Sequence, residues 1–366
     1  MKILMLWEYY PDFLAHTYRS HPELKTYPYK EQREVLLNSH FGWPGEVCSS
    51  LRRLGMDVEF VIANAVSLQT RWFEEHRPRN TLESSSAQEV VAHQIKAFRP
   101  DIVFCPALPR YSGRFFDELR PYYRHVVLWI GYEIPPRYEF RNCSAVCTSW
   151  PFLAKRFDPE LRDVFHVKAG FDPNVLNEIG IIEKTRSITF VGSLSESHKR
   201  RAEYLSTLIE EGVEVECFGK IDWHSSDVRL RKSFEVIQPC HRGAVYGLEM
   251  YRILASSFVT INVHSEAAGA LAGNMRLFEA TGVGACLVTE DAINIADFYV
   301  PNQEVVTYTS LENFVEVVRE LAADKEKALA VGRRGQKRTL REHTTERMAR
   351  RISSVFERVM KEGPKK

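Results

Sequence analysis

Short apolar runs alternate along this chain with segments whose apolar residues recur every three or four positions. The runs Ile3–Trp7, Val58–Ala63, Ile102–Cys105, Val126–Ile130, Ala145–Thr148 and Val164–Val167 are rich in Val, Ile and Leu and read as buried strands. Helical periodicity appears between them at Glu46–Leu54, Ala87–Phe98 and Gly113–Tyr123. Continuous apolar strands separated by helices predict a parallel sheet covered on both faces. Tyr9 to Ser39 is too long for an ordinary strand-to-helix loop and reads as a functional or partly helical insertion. The pattern pauses at Ala169 to Ser187, where Gly170, Pro173 and Gly180 punctuate a more charged stretch. A second series then begins. Its strands are Ile188–Val191, Val213–Phe218, Val259–Val263, Ala285–Thr289 and Val305–Tyr308. Its helices are Lys199–Glu211, Leu248–Ser256, Met275–Gly282, Leu311–Ala323 and Lys325–Arg341, and a final helix covers about Thr345 to Met360.

The predicted class is therefore α/β, with two doubly wound Rossmann-like domains. The expected boundaries are 1–172 for the first, 173–186 for a linker, 187–343 for the second and 344–366 for a terminal helix. Such domains bind ligands at the carboxyl ends of their strands, here expected to face a central cleft.

Composition narrows the partners. Formal net charge is +1 over 366 residues, which gives no global field toward nucleic acid. The basic stretch "RRGQKRTLREHTTERMARR" reads as a solvated helix face and leaves a peripheral contact with an anionic membrane open. No apolar run reaches the length of a membrane span, and "MKILMLW" lacks the apolar core of a signal peptide. Seven scattered cysteines suit buried thiols in a reducing, cytoplasmic compartment. The pair Cys143 and Cys147 has poor spacing for a metal, and no metal site is expected. The chain lacks the glycine fingerprint of dinucleotide binders, a Walker A loop and any Asp-x-Asp pair, so no separate cofactor is expected.

Several constellations could carry chemistry. In "SITFVGSLSESHKRR" a strand runs through Gly192 and Ser193 to a helix start flanked by His198, Lys199, Arg200 and Arg201. Cations oppose the dipole at a helix start, and a bound anion would remove that conflict; the alternative is a solvated basic turn. In "GNMRLFEATGVGACLVTE" the amides of Asn274, Met275 and Arg276 open a helix, and Arg276 and Glu279 share a face. The acid could accept two ribose hydroxyls while the arginine holds a diphosphate, or the two could be a plain ion pair. Asn262, His264, Ser265 and Glu266 end a strand and enter a loop of small residues that could close over a ligand. His264 and Glu266 are candidate catalytic groups. In the first domain, His40, Gly42 and Trp43 precede a helix and could seat an acceptor, with Trp43 as an apolar platform. Glu133, after the strand ending in Trp129, is a candidate general base.

With those residues in view, the chain resembles the bacterial group 1 glycosyltransferases of GT-B fold, and within them the CgeB-like branch. The carrying segments are "FVGSLSESHKRR", "YGLEMYRILASSFVTINVH", "AGNMRLFEATGVGACLVTE" and "LREHTTERMARR". The resemblance implies transfer of a sugar from a nucleotide diphosphate donor to a glycan, protein or small-molecule acceptor, without a metal and with retention of configuration. It implies that Glu279 holds the ribose, that Asn274–Arg276 hold the diphosphate with His198 and Arg201, and that the acceptor enters near Phe41–Gly45. It implies a last helix that crosses back onto the first domain. The sequence departs from the family pattern at two places: Leu271 stands where many relatives carry a first acid, and Ser193 replaces a frequent arginine. Glu266 is the alternative source of that acid. A nucleotide-sugar epimerase or hydrolase of the same fold, or a non-catalytic nucleotide- or sugar-binding module, also fits. Oligomeric state is not legible.

Overall fold

The computed structural model describes residues 1–76, 86–131, 134, 138–150, 152 and 163–362. The chain forms two units, one of Met1–Lys168 with Met348–Lys366 and one of Ala169–Arg347.

Unit 1 runs β1 (Lys2–Trp7), α1 (Pro11–Ser20), α2 (Tyr29–Leu37), α3 (Pro44–Arg53), β2 (Asp57–Ile62), α4 (Val66–His76), α5 (Ala87–Phe98), β3 (Ile102–Pro106), α6 (Arg114–Glu118), β4 (His125–Ile130), β5 (Cys143–Thr148) and β6 (Val164–His166). All strands pair in parallel in the order β2-β1-β3-β4-β5-β6. Alternate residues serve opposite faces. Leu4, Leu6, Val103, Cys105, Val126 and Leu128 pack with Val91 and Ile95 of α5 and Phe116 of α6. The insertion after β1 is helical and folded in: Phe13 of α1 stacks on Phe41 at 4.1 Å between centroids, and the Tyr18 hydroxyl bonds Gln32 at 2.5 Å. The helix expected over Gly113–Tyr123 breaks after Glu118 into a tighter turn at Arg120–Tyr122. Pro121 explains the break, because it lacks an amide donor and disfavours helical geometry in the residue before it.

Unit 2 runs α7 (Asn174–Ile179), β7 (Arg186–Val191), α8 (Lys199–Glu210), β8 (Glu216–Phe218), α9 (Val228–Ile237), α10 (Gly247–Ser256), β9 (Ser257–Ile261), α11 (Arg276–Gly282), β10 (Cys286–Glu290), β11 (Val306–Tyr308), α12 (Leu311–Ala323) and α13 (Lys325–Glu342). Its strands are again all parallel, ordered β11-β10-β9-β7-β8. Ile188, Phe190, Val259 and Ile261 face α8, α9 and α12, whereas Val191, Phe218 and Leu287 face α10 and α11. The stretch 173–186 is not a free linker. Phe171, Val175 and Ile179 are buried against Tyr251 and Phe278, which ties this stretch into unit 2 from Ala169 onward. The last helix, α14 (Thr345–Glu362), carries Met348, Ile352, Val355, Phe356 and Val359 on one buried stripe. Phe356 meets Phe104 of β3 at 5.3 Å, and the helix from Met348 on belongs to unit 1. Among the described residues no helix is long and apolar enough to cross a membrane.

One close approach sets the position of α11. A Cβ on Gly282 would lie 2.4 Å from the Phe171 ring. Gly282→Ala should therefore lower unfolding free energy by about 1–3 kcal/mol, as overpacking of a filled core does. Urea denaturation checks this, and a Phe171→Leu background should recover part of the loss.

Candidate functional site

In unit 2 the strand order reverses around β7, with β8 on one side and β9 on the other. Chains leaving the carboxyl ends of β7 and β9 therefore diverge, and this switch point is where open α/β sheets take ligands. Gly192 follows β7 and donates its amide to Phe218 at 2.8 Å. Gly219 comes so close that an added Cβ would lie 2.0 Å from the Gly192 carbonyl oxygen, and its φ is +135°. Only glycine fits there.

The diverging strand ends leave carbonyls without ladder partners, and two arginines supply donors. Arg201 of α8 donates Nε to Val263 at 2.9 Å and Nη1 to Ser193 at 3.2 Å. Arg276 of α11 donates Nε to Val191 at 3.1 Å. Its Nη1 lies 2.9 Å from Glu279 Oε2. Glu279 is only 5 % exposed; burial pushes its pKa up, and Arg276 pulls it back. The ring of Tyr251, buried beside it, feels the same carboxylate. The i,i+3 spacing thus produces an ion pair, with both partners almost out of solvent.

The start of α8 is basic in sequence but internally neutralised. Lys199 Nζ lies 2.6 Å from Asp227, which also caps α9 through the amides of Arg229 and Leu230. The Arg200 guanidinium pairs with Glu290 at the end of β10, and the Arg200 amide donates to Glu266 Oε1 at 2.9 Å. The dipole conflict posed by the sequence is relieved here by acids of the same chain. His198, half-buried, shares a hydrogen bond with Ser195 at 2.9 Å, and burial followed by Arg201 pushes its pKa down to about 4.

Glu290 went unnoticed in the sequence, yet it organises the β9 end. It accepts the His264 amide at 2.5 Å and sits 3.0 Å from His264 Nδ1. His264 is 2 % exposed, and its Nε2 has no hydrogen-bond partner among the described residues. Burial, Arg201 and Arg200 push its pKa down to about 3. The neutral ring then carries its proton on Nδ1, facing the carboxylate, and Nε2 is a lone-pair acceptor. An acid closing an otherwise apolar strand was the available signal for Glu290.

Small-residue loop 265–273 is fixed at its exit. Asn262 and Asn274 exchange side-chain amide bonds at 2.7 and 3.3 Å, and Asn294 brackets Ala272 through both its amide and its carbonyl. Met275 and Arg276 follow directly.

The structure thus brings Gly192, Ser193, His198, Arg201, His264, Glu266, Asn274, Met275, Arg276 and Glu279 to the β7/β9 end of unit 2. In unit 1, His40 and Gly42 adopt positive φ of 53° and 68° and turn the chain into α3. Trp43 is not an open platform. It is 6 % exposed, and its ring is wedged edge-on between Trp7 at 4.9 Å and Trp129 at 4.8 Å. Burying that large apolar surface holds α3 on the sheet and leaves no face for an acceptor. Glu133 lies outside the described residues. Among the described residues no group of three or more His, Cys, Asp or Glu is arranged to hold a metal ion.

Two doubly wound parallel units define a GT-B fold, and solved structures agree. Sucrose-phosphate synthase from Thermosynechococcus elongatus superposes with a TM-score of 0.63 at 9% identity, over 99% of this chain and 100% of that one. Anabaena HepE in complex with UDP-glucose gives 0.61 at 11%, over 98% and 100%. A glycosyltransferase from Rickettsia africae gives 0.59 at 10%, over 98% of each. Residues 200–354 match the family model described as glycosyl transferase-like. No protein of curated function matches the chain in sequence.

Ring-nitrogen NMR tests the His264 assignment: at pH 6 it should be neutral, with its proton on Nδ1. Because its folded pKa lies below the ordinary 6.5, its contribution to stability is complete above that pH. That contribution drains away as pH falls toward 3. His264→Gln should therefore flatten the loss of stability between about pH 7 and 4. An imidazolium signal at pH 6 would sink the assignment.

Proposed function

We propose that the protein is a glycosyltransferase that moves a sugar from a nucleoside diphosphate donor to an acceptor hydroxyl. The observation that carries this reading is the buried Arg276–Glu279 pair at the switch point of unit 2, inside the segment that matches the glycosyl transferase-like family. A carboxylate held this far from solvent binds hydroxyls strongly, because each hydrogen bond to it is charge-assisted. Glu279 would take the two ribose hydroxyls, and the chain at Asn274–Arg276 the diphosphate.

Leaving-group charge needs stabilisation as the sugar departs. Arg201 and Arg276 supply it in this proposal, in place of a metal. Both guanidinium groups are already fixed by carbonyls, so little ordering cost falls on the reaction step. His198, held neutral, contributes a hydrogen bond and not a charge. Retention of configuration and metal independence are part of the same proposal and rest on the family resemblance. HepE has been solved with UDP-glucose, which makes uridine nucleotides the first donors to try.

Thermal unfolding with UDP, GDP, ADP and dTDP tests the reading. A nucleotide at a hundredfold excess over its Kd adds about 2.7 kcal/mol. That shift is roughly 5–10 °C for a unit of this size, at about 2–4 °C per kcal/mol. Glu279→Ala should remove the shift, measured against the variant's own midpoint. Absence of any shift with all four nucleotides overturns the proposal. Product analysis with the bound UDP-sugar then separates transfer from epimerisation and from hydrolysis.

A further inference from the structure

The basic stretch of α13 plays no part in the nucleotide site. Between Arg333 and Arg341 five of nine residues are Lys or Arg and none is acidic, in a chain whose net charge is only +1. The charge is therefore local, and the fold decides where it points. Ala328, Val331, Gly332, Gly335 and Thr339 form the buried side of α13. Glycine lets the helix lie close on unit 2: a Cβ on Gly332 would come 2.6 Å from the Gly284 carbonyl oxygen. With that side locked, Arg333, Lys337 and Arg341 project from the other side at four-residue spacing, with Arg334 beside them, and all four are exposed.

Neither solvation nor the helix dipole accounts for this stripe. A solvated helix face interleaves the signs, as α14 does where Arg358 meets Glu362 four residues on, at 2.9 Å. In α13 the four-residue neighbours Arg333, Lys337 and Arg341 are like charges, which repel. Glu342 answers Arg338 and Arg341 at 3.1 and 2.8 Å, but Arg333 and Lys337 have no acidic partner among the described residues. The helix dipole favours cations in the last turn only, and Arg333 and Arg334 stand about two turns before the end of α13.

Apolar groups share this face. Leu340 is 37 % exposed, beside Arg341 in sequence and one turn beyond Lys337. Val300 is 42 % exposed, in a segment strapped to α13: Arg334 donates Nε to the Gln303 carbonyl at 2.7 Å, and Arg338 donates Nε to that of Phe298 at 3.2 Å. Exposed apolar side chains among unpaired cations complement a surface that is anionic at its headgroups and apolar beneath. A nucleic-acid backbone would engage the cations and leave Leu340 and Val300 without a role. We propose that this face of α13 docks unit 2 on an anionic membrane surface. The docking makes no use of the nucleotide site and does not depend on the function proposed above.

Co-sedimentation of the full chain with vesicles tests it, using phosphatidylcholine alone and phosphatidylcholine mixed with an equal part of phosphatidylglycerol. The protein should pellet with the anionic vesicles only and be released at high salt. Arg333→Gln combined with Lys337→Gln should weaken that binding about 25-fold, since each cation near such a surface is worth roughly a factor of five. Leu340→Ser should weaken it severalfold. Lys96→Gln combined with Arg120→Gln removes the same charge from exposed unit 1 cations that lie over Tyr122 and Tyr123. That control should change binding by less than about twofold, because screening confines the effect of a distant charge. The α13 double variant should unfold no earlier than wild type, because it relieves like-charge repulsion. A wild type that pellets without any UDP thermal shift keeps the surface and removes the transferase reading. No pelleting of the wild type with anionic vesicles, equal pelleting with neutral ones, unchanged binding or a lower midpoint in the α13 double variant, or an equal loss in the unit 1 control overturns the surface. Tighter binding to soluble polyglutamate than to the vesicles also overturns it and assigns the face to an acidic protein.

Discussion

The carbonyl oxygens of Val191, Ser193 and Val263 stand where β7 and β9 part, and a sheet cannot supply donors to strands that diverge. Arg201 and Arg276 fill this role with guanidinium groups rather than with backbone. That choice brings positive charge to the mouth of the sheet and obliges the chain to place acids beside it. Glu279 answers Arg276. Around the start of α8 the answer is shared: Asp227 takes Lys199, while Glu290 and Glu266 take the side chain and amide of Arg200. Gly192 and Gly219 exist in this scheme because the β7 and β8 exits run within van der Waals reach of each other.

A consequence is that the charges of this region are balanced before any ligand arrives. Burying one partner of such a pair alone would cost several kcal/mol, so the acids and bases are interdependent. The least solvated pair is Arg276–Glu279; the most solvated is Lys199–Asp227, whose lysine side chain is half exposed. In the function proposed above, an added anion is met where a guanidinium is both fixed and shielded, at Arg201 and Arg276, and not along the whole basic run.

The order of the strands was legible because parallel strands buried on both faces must be apolar throughout, and each β-run in the sequence found its place. The Arg276–Glu279 face was legible for a similar reason, since spacing of three on a helix fixes geometry. Other features were less accessible. The helix at Val228–Ile237 carries Leu230, Phe234 and Ile237 on one stripe behind an Asp227 cap, but four intervening charged residues obscured it. Trp43 looked like a platform because a loop tryptophan beside glycines suggests exposure; only the three-dimensional meeting of β1, α3 and β4 shows its ring between two others. Glu290 was invisible because its partners, His264 and Arg200, are distant in sequence.

The acid within loop 265–273 and the acid on the helix beyond it have different fates, and the difference is physical. Glu279 sits on a helix whose Gly282 is locked against Phe171, so its carboxylate cannot leave the sheet mouth without moving a packed element. Glu266 sits on an exposed turn, and its carboxylate accepts the Arg200 amide. An anion arriving at that amide would compete with Glu266 for a single donor. The loop is tied at several points: the Ala270 carbonyl accepts the Ile293 amide at 3.0 Å, and Asn262 and Asn294 hold Asn274 and Ala272. Glu279 is thus held by a packed helix, and Glu266 by a side-chain bond to an amide at the start of a different helix.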